Sequence, residues 1–94
     1  MTHQSVGIGR RGMAQLHNKA VQEQDLLVWT IYDHPSDFPD SYVVRPHSTK
    51  LGSPLTVHFQ HAQLDHVRGA LEHLGLTCLP RSPEDDPSIL ETWL

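Results

Sequence analysis

Eight histidines, eleven carboxylates and a single cysteine are the reactive side chains of this 94-residue chain, and their spacing decides what they can do. His58 and His61 lie three apart, with Asp65 four residues further on. Such a set suggests a transition metal, but zinc or iron requires three or four convergent ligands held by partners that orient them. His58 falls on an expected strand and His61 at an expected helix start, and the His-Glu-x-x-His pattern is absent. No metal or other cofactor is expected, and the histidines read as surface residues. Asp33, Asp37 and Asp40 form a second set, within D-H-P-S-D-F-P-D. A calcium loop of the EF-hand kind turns on glycine, whereas this one is pinned by prolines. Two carboxylates in a cleft can act as general acid and base. The sequence supplies no cleft, so these aspartates read as turn caps, with an ion pair to Arg45 or Arg81. Cys78 with a histidine and an aspartate could make a nucleophilic set, but it sits in the apolar strand L-T-C-L and reads as a buried core residue. No nucleophile elbow or phosphate loop is present. Gly7–Gly12 spells G-x-G-x-x-G without the preceding strand that a dinucleotide site requires.

The elements that must position these residues follow from periodicity. Leu26–Tyr32 alternates with apolar residues on both phases, as a central strand does. Asp33-His34-Pro35 ends it, because proline cannot donate to a ladder. Tyr42–Arg45 resumes as a strand, and Pro46 marks it as an edge or terminates it. Leu55–Phe59 alternates as a third strand, with Thr56 and His58 on its wet side. Leu64, Val67, Ala70, Leu71 and Leu74 define the clearest helix, over 60–74, with Gly75 at its C-cap. Leu76–Leu79 and Ile89–Trp93 read as a closing hairpin around the acidic loop 80–87. Upstream, Met13–Gln24 has a thin apolar stripe and predicts a short helix. The expected fold is α+β: two layers, a mostly antiparallel sheet of about five strands, one main helix across it and a weak N-terminal helix. Residues 1–25 read as a partly mobile extension, with Met13 a plausible alternative start, and residues 26–94 as the domain.

The run W-T-I-Y-D-H-P-S-D-F-P-D, then Y-V-V-R, then C-L-P-R-S-P-E-D-D-P ahead of a closing Trp, resembles a group of small uncharacterised bacterial proteins. The resemblance spans about residues 28–94. It implies a compact domain with two acidic proline loops and brings no activity with it.

Net charge is −4, divided as +2 over residues 1–24 and −6 over 25–94. An acidic domain lacks the footprint of a nucleic-acid binder. One cysteine permits no internal disulfide, which favours a reducing cytoplasm. No apolar run reaches the ~20 residues of a membrane helix, and the N-terminus lacks a signal-peptide apolar stretch. The expected surface of interest joins the two acidic loops to nearby aromatics and arginines: Trp29, Tyr32, Asp33, His34, Asp37, Tyr42, Arg45, His47, Arg81, Asp85 and Asp86. Rigid loops bearing aromatic and charged side chains suit recognition rather than catalysis. The reading is a small non-enzymatic binding domain, its partner another protein or a second copy of itself, with Tyr42–Arg45 as the edge that pairs. The alternative is a small-molecule or minor hydrolytic site using His and Asp residues near 33–47.

Overall fold

The computed structural model describes residues 5–83 and 86–94, and shows an α+β fold with a mixed sheet of seven strands and two helices. In chain order these are β1 (Val6–Gly7), α1 (Arg10–Gln22), β2 (Leu27–Asp33), β3 (Tyr42–Ser48), β4 (Ser53–Pro54), β5 (Val57–His61), α2 (Leu64–His73), β6 (Cys78–Pro80) and β7 (Ile89–Trp93). The sheet runs β1-β5-β3-β2-β7-β6, with β4 on β3. Among the described residues only the β1–β5 pair is parallel. The sheet is therefore mixed and larger than the five strands expected, because two two-residue strands, β1 and β4, are too short to show any period.

Leu26–Tyr32 forecasts β2 to within one residue, and its apolar character on both phases fits its place between β3 and β7. Leu27, Trp29 and Ile31 face the helices and are nearly inaccessible. They meet Met13 and Ala20 from α1, Val67, Ala70 and Leu71 from α2, Val44 from β3 and Trp93 from β7. Both helices thus lie on the same face of the sheet.

The first helix begins at Arg10, three residues before its apolar stripe, and is longer than α2. Its first turn carries two arginines and no acid, an unfavourable arrangement for the helix dipole. Tertiary contact outweighs that. The Ile8 amide donates to the His58 carbonyl (2.8 Å), which fixes where the chain enters the helix. Gly12 then passes so close to Ile8 that a β-carbon there would sit 3.0 Å from the Ile8 β-carbon. With Met13 1% exposed, α1 is built into the core. Val21, by contrast, is exposed. At the end of α2, Gly75 adopts φ +80°, as the expected C-cap requires.

The strand expected to be an edge is interior. β3 has β2 on one side and β5 then β4 on the other, and it continues through Pro46 to Ser48. Thr49 donates to Leu26 (3.1 Å) and His34 to Ser41 (3.1 Å), so odd-numbered β3 residues direct their backbone groups to β2. The missing N–H of Pro46 then faces the other side, where pairing passes from β5 (Val44↔Phe59) to β4 (His47↔Pro54). At that break no ladder donor is needed, and the Pro46 carbonyl accepts from Leu55 (2.9 Å).

The true edges are short. Thr77 and Leu94 exchange two backbone bonds (2.8 and 3.0 Å), so Cys78 and Pro80 direct their backbone groups outward from β6. Proline at an outward donor position blunts the edge against further strands.

Candidate functional site

The loop between β2 and β3 is held by its own side chains. His34 Nδ1 lies 2.5 Å from Asp33 Oδ1, and its ring meets Tyr42 edge-on at 4.6 Å. His34 has φ +47°, the left-handed region that few non-glycine residues adopt, which lets the chain reverse between the two strands. Asp37 accepts a 2.5 Å hydrogen bond from the Arg45 guanidinium, which also stands 5.7 Å over the Tyr32 ring. Tyr32, Asp37 and Arg45 therefore form one group, and Asp33, His34 and Tyr42 another beside it.

The second acidic loop lies at the same end of the sheet, because the Asp33 amide donates to the Ser88 carbonyl (2.7 Å). Asp86 caps the turn into β7 by accepting from the Ser88 amide (2.9 Å) and hydroxyl (2.8 Å). Those two bonds, the amide first, hold its carboxyl below the usual range, and the Arg81 charge adds to them. Burial pushes the Tyr32 hydroxyl upward, helped by Asp86 and opposed by Arg45. Tyr32 thus links the two loops electrostatically. Asp85 falls outside the described residues.

Other expected site residues are placed elsewhere. Trp29 is 1% exposed within the core, and its indole N–H has no partner. His47 projects from the same face as Arg45, and its Nδ1 is enclosed without a partner. His58 and His61 lie on opposite faces of β5, since their spacing is odd in a strand of period two, and so cannot share a metal. His61 instead accepts from the Gln63 amide (2.9 Å) and stacks on His66 at 4.1 Å. Among the described residues no three His, Cys, Asp or Glu side chains converge as metal ligands. His58, read from the sequence as a surface residue, is 4% exposed. Cys78, read as core, is exposed, because it occupies the outermost strand. Burial of its thiol, with the Glu91 charge nearby, raises its pKa, which disfavours the nucleophilic thiolate.

A polar cluster went unforeseen. Glu91 is buried on the helix side of β7 and accepts from Arg68 of α2 (2.8 and 3.0 Å) and from the Trp93 indole (3.1 Å). The signal was available: Glu91 lies two residues from Trp93, on the same phase of the strand, and an acid beside an inward tryptophan demands a buried partner.

The face of the sheet opposite the helices carries Val28, Thr30 and Tyr32 from β2, Val43, Arg45 and His47 from β3, His58 and Gln60 from β5, Ile89 and Thr92 from β7 and Leu79 from β6; Thr30, Val43 and His58 are buried on it, with Ser5 and Phe38 against His58. Leu26 and Leu94 extend it by the same alternation. Leu26, Leu79 and Leu94 are 57%, 41% and 37% exposed. Among the described residues Arg45 is the only charged side chain that the strands project from this face, and Asp37 neutralises it. A cleft of about 170 Å³ lies between α1 and the 51–55 turn, lined by Leu16, Ala20, Leu27 and Leu55. It is at the opposite end of β2 from Asp33 and His34, and small beside the ~300 Å³ of common ligand pockets.

Comparison with family models, curated proteins and solved structures finds no match to this chain. Among the described residues no helix is long and apolar enough to cross a membrane.

Proposed function

We propose that this chain is a small non-enzymatic binding domain that acts as a homodimer, two copies packing through the helix-free faces of their sheets. The supporting observation is the one-sided helix cover, which leaves Leu26, Leu79 and Leu94 exposed on an otherwise neutral face. A sheet with an uncovered apolar face is normally buried against a second layer. Charge favours a second copy as that layer. The chain carries −4, yet this face has its one strand cation paired to Asp37, so two copies approach here without setting acid against acid. Edge-to-edge pairing is the poorer route, because β3 is interior and Pro80 blunts β6.

Sedimentation velocity tests the proposal. Wild type should be dimeric at tens of micromolar, an ordinary strength for such an interface. Val28→Glu and Leu79→Glu should each be monomeric and folded by circular dichroism. A wild type that stays monomeric at roughly 100 μM, or a dimer indifferent to both substitutions, overturns it; the first result leaves a different protein as the occupant of the face.

A further inference from the structure

Three separate parts of the chain meet at His58. From the N-terminal segment, Ser5 Oγ lies 2.7 Å from its Nδ1. From the acidic loop, the Phe38 ring packs against the imidazole at 4.7 Å between centroids. From β1, Gly7 runs alongside the ring: a methyl group added to it would lie 3.5 Å from Nε2. The His58 carbonyl receives the Ile8 amide, while the Val6 amide donates to Thr56 (2.9 Å). β1 is two residues long and Val6 is exposed, so its short parallel ladder to β5 and the His58 contact are what hold it.

We propose that His58 is a pH-sensitive latch that keeps β1 docked on β5 and releases it when the imidazole takes up a proton. An imidazolium has two N–H donors and needs an acceptor at each. Ser5 can serve Nδ1, whereas among the described residues no group is hydrogen-bonded to Nε2. The ring is also 4% exposed, so its charge cannot be hydrated in place. The charged groups facing it are Arg45 of β3 and Asp37 of the loop; the described part of β1 brings none. Burial, followed by the Arg45 charge, lowers the His58 pKa from its ordinary 6.5, and Asp37 opposes only in part. The docked arrangement therefore has its full advantage above pH 6.5 and loses it as pH falls below that value. Release leaves the carbonyls of Thr56 and His58 without donors at an open sheet edge.

Amide hydrogen exchange on the full chain tests the latch. The Val6 and Ile8 amides, corrected for intrinsic rates, should lose protection severalfold between about pH 7.5 and about pH 5. The Leu71 amide in α2 should keep its protection over that range. In His58→Gln, which stays neutral, the Val6 and Ile8 protection should not vary with pH. If that variant does not fold, nuclear magnetic resonance of wild type decides, because loss of Val6 and Ile8 protection must follow the titration of the His58 ring. Constant protection in wild type, an undiminished fall in His58→Gln, a parallel fall at Leu71, or a mismatch between ring titration and amide release each overturns the proposal.

Discussion

Arg68 of α2 grips Glu91 of β7 through two hydrogen bonds of 2.8 and 3.0 Å, joining the helix layer to the sheet. A β-bulge in the β2–β7 pairing, where the register shifts after Ile31↔Glu91, accompanies this contact. The carboxylate is also bonded by the Trp93 indole, so its surroundings are built for a charge. Removing the arginine leaves that charge buried. Arg68→Ala should cost about 2 kcal/mol in urea unfolding, less than the ~3–5 of a fully buried pair because Arg68 is itself partly exposed.

The same pair should give stability a pH dependence in acid. Burial works to raise the Glu91 pKa, but the bonds from Arg68 and Trp93 outweigh it and the carboxyl is held below its ordinary 4.5. The contribution is complete above that value and is lost as pH falls beneath it. Urea midpoints measured from neutral pH down to about pH 3 should decline in wild type, and less steeply in Glu91→Gln.

The two tryptophans face each other across β2 and β7, yet their indole nitrogens differ. Trp93 donates to a buried carboxylate, whereas the Trp29 N–H has no partner. Trp93→Phe should therefore cost about 1–2 kcal/mol more than Trp29→Phe, because only the first breaks a bond to a charged group. Equal unfolding free energies for the two variants would contradict this account.

Pro80 should protect the β6 edge. Pro80→Thr restores an outward N–H next to the exposed Cys78 and Leu79. Light scattering under reducing conditions should show more high-order association for this variant than for wild type. No increase would mean that the edge is protected by its shortness alone.

At the end of α2, Gly75→Ala forces a β-carbon into φ +80° and should lower stability by about 1 kcal/mol in thermal or urea unfolding.

Much of this architecture is legible in the residue order. Ile89–Trp93 is forecast to the residue, β2 to within one, and the stripe Val67, Ala70, Leu71 forms the buried face of α2. These are local consequences of side-chain period, which belongs to the segment itself. The end of β2 at Asp33, ahead of His34-Pro35, likewise follows from the proline. The pairing of Asp37 with Arg45 follows from two strands joined by a short loop, and it is one of the two pairings expected for the aspartates.

What only the tertiary structure decided are matters of neighbourhood. Pro46 reads as an edge marker, but sits inside the sheet because the strand beside it changes at that position. His58 reads as wet on alternation, because alternation separates two faces without saying what covers the second; Ser5, Phe38 and Gly7 cover it, from distant positions in the chain. Cys78 reads as core from its apolar neighbours, but exposure is set by rank in the sheet, and β6 is outermost. The sequence located the longer strands and both helices, but not the two-residue β1 and β4, and several ends moved: β3 runs on to Ser48, β5 covers Val57–His61 and α2 starts at Leu64. Strand order, the side on which both helices lie, and hence which apolar residues stay uncovered arise from contacts between segments far apart in the chain, where no local period carries the information.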